Sequence, residues 1–221
     1  MEKTSGALPL FDRITRAAIT LFSANGYHGT STRDIARVAQ VSEVTLFRHF
    51  QTKEELFLSA LRTSFVPIHA KRKNLRRGGH GEAPEQTLRE VLTLFVDMVS
   101  YHPESVRLSA VALIEVRGVA EREFYIQLSP LLSAMDSYLA VNMNNGLFKQ
   151  LNTAMVTIAV TLTSVAYPTL KRCMPVANHS GSSARELLDT YTVFWSEVLA
   201  PPPGEDTRQN ENRIMSYRDG D

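Results

Sequence analysis

The side chains best suited to recognition chemistry are polar or basic, and they fall in one short stretch between residues 31 and 53. Hydroxyls donate and accept hydrogen bonds, a carboxylate accepts them, and Arg, Lys and protonated His offer positive charge to anions. This mixture suits the binding of a polar, anionic surface. The side chains concerned are Ser31, Thr32, Arg33, Glu43, Thr45, Arg48, His49 and Lys53.

Catalytic chemistry has much weaker support in this chain. His102, Glu104, Glu115 and His179 could be arranged into an acid–base site. However, the sequence contains no HExxH metal-ligand spacing, no nucleophile elbow and no phosphate-binding loop. We therefore expect no enzymatic activity, no cofactor and no metal site.

The elements that position the polar residues have the layout of a helix-turn-helix, within residues 30–57. Ser31 and Ser42 each stand where a helix start needs a capping hydroxyl. Leu46 and Phe50 point back into the small core formed by the apolar face of the preceding helix. In such a motif the second helix lies in the major groove of DNA.

An ordered series of short motifs from Arg13 to Phe57 resembles the DNA-binding region of the TetR family of transcriptional regulators. The matching pieces are Ala17-Ala18, Leu21-Phe22, Asn25-Gly26-Tyr27, Thr30-Ser31, Asp34-Ile35-Ala36, Val41-Ser42, Thr45-Leu46-Phe47, His49-Phe50 and Lys53-Glu54-Glu55-Leu56. The resemblance implies a three-helix DNA-binding head, a helical body with a small-molecule pocket, and pairing of the last two helices with those of a second copy.

Three residues depart from the family pattern. Gln40 stands in the turn where the family usually has Gly, and a left-handed conformation there would cost about 1 kcal/mol. Val44 also replaces a usual Gly, on the face that approaches DNA. Phe47 replaces a usual Tyr and has no hydroxyl for a phosphate.

The recognition helix is expected over residues 42–49, with its N-terminal side chains at base edges. Glu43 can accept a hydrogen bond from cytosine N4, and the Thr45 methyl can pack on thymine. Val44 offers only apolar contact. Arg48 and His49 are candidates for the groove or for the DNA backbone.

Phosphate contacts are expected at two further helix starts, where free backbone N–H groups favour anions. One start carries Ser31, Thr32 and Arg33, and the other carries Lys53. The family resemblance implies DNA proximity for Thr32, Thr45, Phe47, His49 and Lys53. Other interpretations stay open: Thr45 could serve only its own helix start, Phe47 could be core, and Arg48 and His49 could be ordinary surface residues.

Composition describes an ordinary globular protein of 221 residues, 43% of them hydrophobic and 21% charged. The net charge of +1 means that DNA affinity must come from charge placed on one face. A single cysteine excludes an intrachain disulfide, and neither a signal peptide nor a membrane span is visible. We expect a cytoplasmic protein that does not contact membranes.

Apolar spacing predicts an all-α fold of about nine helices. The domains expected are a helix-turn-helix DNA-binding domain at 1–52, a larger helical ligand-binding and dimerisation domain at 53–200, and a disordered C-terminal tail at 201–221. Six helices are expected outside the head. The first runs from Thr52 to about Arg77, the second follows Gly81, and the third begins at Pro103. The others cover Val119–Asn144 with a bend or break at Pro130, Asn152–Leu170, where a strand is the alternative, and a stretch that includes Leu187–Leu199.

The resemblance implies a ligand pocket in the body. Glu115 has three possible roles: it could face a cationic ligand, pair with Arg107 or Arg117, or face solvent. Thr157, Thr161 and Ser164 form a line of hydroxyls on one helix, which suits either a pocket or close helix packing. Candidate lining residues are Phe65, Phe95, Met98, Tyr101, Glu115, Phe124, Tyr125, Met135, Tyr138 and Tyr167.

The sequence as a whole predicts a ligand-responsive transcriptional repressor. It would bind a palindromic double-stranded DNA operator as a homodimer, through its eighth and ninth helices, and a small-molecule effector would release it. The alternative is a DNA-binding regulator or architectural protein without small-molecule input.

Overall fold

The computed structural model describes residues 8–75, 84–171 and 183–202. These residues form nine α-helices and no strand, which confirms the all-α prediction. The predicted tail lies almost entirely outside the described ranges. The helices are α1 Leu10–Asn25, α2 Thr32–Val38, α3 Glu43–His49, α4 Lys53–Leu75, α5 Pro84–Tyr101, α6 Pro103–Val111, α7 Val119–Asn144, α8 Thr153–Lys171 and α9 Ala184–Leu199.

The helices divide into two compact units. The first contains the chain up to His69 together with Tyr101–Ser129, and the second contains Ala70–Ser100 together with the chain from Pro130 onward. The domain boundaries at 52 and 200 stay a prediction. None of the described helices is long and apolar enough to cross a bilayer.

The first unit is built around a small apolar core in which α1, α2 and α3 meet. Each short helix begins with a serine whose hydroxyl accepts an N–H: Ser31 from Asp34, and Ser42 from Thr45. Both bonds confirm the predicted N-caps. The fully or almost fully buried core side chains here are Ile14, Ala17, Ala18, Phe22, Ile35, Ala36, Leu46, Phe50, Leu56 and Phe57.

The turn between α2 and α3 contains a left-handed residue. Gln40 has φ 55°, so a non-glycine residue adopts the left-handed conformation whose cost was considered from the sequence. The guanidinium of Arg13 on α1 donates to the carbonyls of Ala39 and Gln40, at 2.7 and 3.0 Å. These bonds satisfy carbonyls at the end of α2 and tie the strained turn to α1.

The connection between α6 and α7 is the irregular part of this unit. Ala112–Val116 form a π-helical segment, closed by a hydrogen bond from Arg117 N to the Ala112 carbonyl at 2.9 Å. Arg117 then takes φ 57° and Gly118 φ 53°. The sequence carries no sign of this segment, because a π turn has no residue pattern of its own.

Helix α7 runs unbroken through Pro130, so the predicted break there is absent. Proline cannot donate to the carbonyl one turn earlier, which belongs to Ile126. The hydroxyl of Ser129 donates to that carbonyl instead, at 3.4 Å. This substitute bond removes part of the cost that would favour ending the helix.

The second unit has an apolar interior made by α5, the C-terminal part of α7, α8 and α9. Helix α8 confirms the helical prediction for a stretch rich in β-branched residues. Helix α9 begins with a reciprocal capping box between Ser183 and Glu186. The fully or mostly buried side chains of the unit include Leu88, Leu92, Phe95, Met98, Met135, Leu139, Val160, Trp195 and Leu199.

A buried carboxylate in the first unit gives a pH-dependent prediction. Arg62 and Gln127 each donate to Glu123 at 2.7 Å, and the Arg62 bond is the largest cause holding the pKa of Glu123 below its ordinary value. We expect Glu123→Gln to lower the free energy of unfolding by about 1–2 kcal/mol at neutral pH. This difference should vanish as the pH falls through the folded-state pKa, since a lowered pKa contributes stability only above it.

Urea unfolding over a pH series measures this effect. The control is Glu85→Gln, which removes an exposed carboxylate near the start of α5 and should show no comparable pH-dependent loss. Equal stability of wild type and Glu123→Gln at neutral pH would contradict the assignment.

Candidate nucleic-acid interface

Helix α3 turns one side chain inward and most of the others outward. Leu46 is fully buried, and Phe50, just after the helix, is buried beside it. The outward side chains include Val44, 66% exposed, and Phe47, 43% exposed. Phe47 is therefore a surface residue, and the alternative that it belongs to the core is wrong.

Hydrogen bonds fix the polar side chains at the start of α3. The Ser42 and Thr45 hydroxyls lie 2.8 Å apart, and Ser42 also accepts the Thr45 N–H at 3.0 Å. The Thr32 hydroxyl donates to Glu43 at 3.0 Å, joining the N-termini of α2 and α3. Ser42 thus caps the N–H of Thr45. The Thr45 hydroxyl contacts the Ser42 hydroxyl and does not itself cap the start of α3.

The basic side chains expected to meet phosphate differ in their surroundings. Arg33, Arg48 and His49 are exposed. Arg37 is paired with Asp34 at 2.8 Å. The exposed arginines Arg33 and Arg48 supply the local positive charge that the near-neutral chain needs, and His49 is exposed beside Arg48.

Lys53 sits in a more specific environment at the first turn of α4. Its ammonium lies 4.4 Å from the centre of the Tyr27 ring, which is a cation–π contact. Partial burial lowers the pKa of Lys53, and the charge of Glu115 opposes that shift. The Tyr27 ring therefore holds the Lys53 ammonium on one side. This contact was not predicted from the sequence.

Glu115 has a hydrogen-bonding role that the sequence did not suggest. Its Oε2 accepts backbone N–H groups from Tyr27 at 2.8 Å and from His28 at 3.1 Å. The carboxylate thus joins the π-helical segment to the turn after α1. No helical period links positions so far apart in the chain, so the sequence carried no signal for this contact.

The candidate pocket residues do not gather in one unit. In the first unit Phe65 is buried, with its ring 6.4 Å from that of the half-buried Phe124, while Tyr101 and Tyr125 are exposed. In the second unit Phe95, Met98 and Met135 are buried, and burial raises the pKa of the half-buried Tyr138. The Tyr167 side chain lies outside the described part.

Buried polar atoms without partners are concentrated in the second unit. Thr157 Oγ1 and Ser164 Oγ on α8, and Trp195 Nε1 on α9, find no hydrogen-bond partner among the described residues, and each residue is more than nine-tenths buried. Thr161 behaves differently, because its hydroxyl donates to the Thr157 carbonyl at 2.8 Å. The predicted line of hydroxyls therefore splits into one locally bonded member and two unbonded ones.

Comparison with known proteins shows what the head is similar to. The model of "Bacterial regulatory proteins, tetR family" matches residues 14–60, which run from α1 into α4. The HTH-type transcriptional repressor NicS of Pseudomonas putida is 31% identical over 99 residues, 45% of this chain and 46% of NicS. The HTH-type transcriptional regulator RutR of Escherichia coli is 27% identical over 131 residues, 58% of each chain.

These curated relatives are transcriptional regulators and not enzymes, and this chain spans only about half of their length. Similarity of fold covers more of the chain than similarity of sequence. The structure of the transcriptional regulator FadR from Bacillus subtilis in complex with stearoyl-CoA has a TM-score of 0.65 at 18% identity, covering 83% of this chain and 96% of that one. This likeness concerns the fold alone. Residues 14–60 are therefore similar to the tetR family of bacterial regulatory proteins, and two curated transcriptional regulators resemble the chain over about half of their length.

Proposed function

We propose that the chain is a ligand-responsive transcriptional repressor that binds a palindromic DNA operator as a homodimer. The observation that carries this proposal is the presentation of α3. A buried core holds the helix by one face, while Val44, Phe47, Arg48 and His49 project outward from the other. The repressor NicS, to which the chain is similar, gives the direction of regulation.

Two kinds of DNA contact follow from this geometry. Glu43, Val44 and Thr45 stand at the N-terminal end of α3, where a recognition helix meets base edges. The residues assigned to phosphate are Ser31, Thr32, Arg33, Arg48, His49 and Lys53, and Phe47 contributes an apolar contact beside them. Base contacts supply specificity, and phosphate contacts supply salt-dependent affinity.

Selection of bound duplexes from a random library, followed by fluorescence anisotropy on the selected sequence, tests operator binding. We expect a two-fold symmetric consensus. Thr45→Ala should relax the preference at one base pair of each half-site, at a cost of about 1–3 kcal/mol. Arg48→Ala should weaken binding to all sequences and make the dependence of affinity on salt less steep.

The matched control is Arg122→Ala, which removes an exposed arginine near the start of α7 and should leave affinity unchanged. Recovery of no preferred sequence would contradict the repressor proposal. It would favour the architectural alternative, in which DNA is bound without sequence choice.

The dimer is proposed to form through α8 and α9. Met155, Ile158 and Leu162 are exposed on one face of α8, and Val193 and Phe194 are exposed on α9. Apolar side chains in such numbers on neighbouring helices favour a partner surface. A two-fold symmetric pair of chains also supplies the two heads that a palindrome requires.

A charge placed on this face should separate the protomers. Leu162 is 61% exposed, and we expect Leu162→Arg to shift the protein from dimer to monomer in sedimentation experiments and to weaken operator binding. Val141, 57% exposed on α7, provides the control as Val141→Arg, which should remain a dimer. A dimeric Leu162→Arg protein would place the interface elsewhere.

The effector site is proposed to lie in the second unit. Serine and threonine hydroxyls inside helices ordinarily bond to a carbonyl one turn back, as Thr161, Thr163 and Thr192 do here. Thr157, Ser164 and the Trp195 indole instead have no partner among the described residues, and an unsatisfied buried polar group costs stability in the free protein. Groups of this kind are available to a bound molecule with hydrogen-bonding atoms.

This assignment predicts opposite effects for two similar substitutions. Ser164→Ala should raise the melting temperature of the free protein, because it removes an unsatisfied buried hydroxyl. Thr161→Val should not raise it, because that hydroxyl is already bonded. Differential scanning fluorimetry measures both, first alone and then with acyl-coenzyme A thioesters, the class to which the stearoyl-CoA bound by the FadR neighbour belongs.

Ser164→Ala should also lose any stabilisation or operator release that these thioesters give the wild type. A lowered melting temperature for free Ser164→Ala would show that the hydroxyl serves the fold. Normal release of Ser164→Ala by a thioester that releases the wild type would place the effector elsewhere.

A further inference from the structure

The carboxylate of Glu115 occupies a cradle made by the backbone after α1. The N–H groups of Tyr27 and His28 both point at its Oε2, at 2.8 and 3.1 Å. Two N–H groups on one carboxylate oxygen form a charge-assisted pair of hydrogen bonds, stronger than bonds between neutral groups. The contact joins residues 88 and 87 positions apart in the chain.

Gly26 makes room for this carboxylate. Its φ of 76° lies in the left-handed region, and a Cβ built on it would overlap Oε1 of Glu115 and come within 2.9 Å of Oε2. Glycine is therefore required here both by its backbone conformation and by the close approach of the carboxylate.

The backbone that presents Glu115 is itself unusual. The residue lies in the π-helical segment Ala112–Val116, and Arg117, two positions later, has φ 57°. Irregular conformations of this kind cost free energy and persist where the surrounding structure requires them. Here they bring a carboxylate from the α6–α7 connection to the head.

The turn held by Glu115 carries the ring on which Lys53 rests. The Tyr27 ring stacks on Phe22, with centroids 5.8 Å apart, and meets Phe57 edge-on at 5.6 Å. The Lys53 ammonium lies over the same ring, 4.4 Å from its centre. A shift of the Tyr27 backbone would move the ring and with it the ammonium.

We propose that Glu115 is a positioning residue for DNA binding. It touches no DNA: it fixes the turn at Tyr27 and His28, so that the Tyr27 ring holds Lys53 where its ammonium meets a phosphate. The inference rests on the proposed function, because it assigns Lys53 to the DNA backbone. It adds a residue from outside the helix-turn-helix segment to the binding machinery.

A double-mutant cycle between Glu115→Ala and Lys53→Ala tests this inference, with affinity for the selected operator measured over a salt series. Each single variant should bind about tenfold more weakly than wild type. The slope of log affinity against log salt concentration should also become shallower, by about 0.9 for each phosphate that the protein no longer neutralises. The double variant should bind no more weakly than Lys53→Ala, since both changes remove the same interaction with phosphate.

Two further variants separate positioning from folding. Glu115→Gln keeps an acceptor oxygen of the same shape and should retain most of the affinity. Glu121→Ala removes a carboxylate in the first turn of α7, which accepts the Gly118 N–H at 3.1 Å, and should leave the salt slope unchanged.

Nuclear magnetic resonance of the DNA-free protein gives an independent measurement. The ε-methylene protons of Lys53 should be shifted upfield by the Tyr27 ring in the wild type, and this shift should disappear in Glu115→Ala. An unchanged shift, or additive losses of affinity in the double variant, would overturn the inference. A wild type without specific DNA binding would instead overturn the proposed function, and the Lys53 signal would still report on the position of its ammonium over the ring.

Discussion

Two helices of the head, α2 and α3, are seven residues long, and helices of that length are not stable alone in water. Their shape depends on burial of Ile35, Ala36 and Leu46 in one small core. Everything proposed for the DNA-facing side therefore depends on what happens on the opposite side. The outward residues can be polar, charged or unusually apolar because the inward ones already secure the helix.

Local features of the head were predictable because each depends on neighbours in the chain. The serine caps follow from a hydroxyl placed three residues before a free N–H. The all-α fold follows in the same way from apolar spacing. The left-handed conformation of Gln40 was raised only as a possibility, by the resemblance to a family that usually has Gly in this turn. The exposure of Phe47 was left open by the sequence, since an aromatic residue fits a core or a surface.

Contacts that cross the chain were beyond prediction. Arg13 and Glu115 both bind backbone groups. Because almost every residue has a backbone carbonyl and N–H, the sequence does not show which of them a distant side chain will bind. The pocket residues stay a prediction, for another reason. Large apolar side chains such as Phe65 and Met135 look alike whether they fill a core or line a cavity, and the unsatisfied hydroxyls of α8 became visible only against the bonded Thr161.

The close approach of Gly26 to Glu115 also constrains how this sequence can vary. A side chain at position 26 is incompatible with a carboxylate seated at Tyr27 and His28, whatever its chemistry. The two positions are thus coupled in evolution: position 115 can lose its acid while the glycine stays, but a Cβ at position 26 meets the carboxylate as long as Glu115 is present, in addition to the strain of its own positive φ. The order of substitutions is fixed by sterics, although one residue belongs to the head and the other to the connection between α6 and α7.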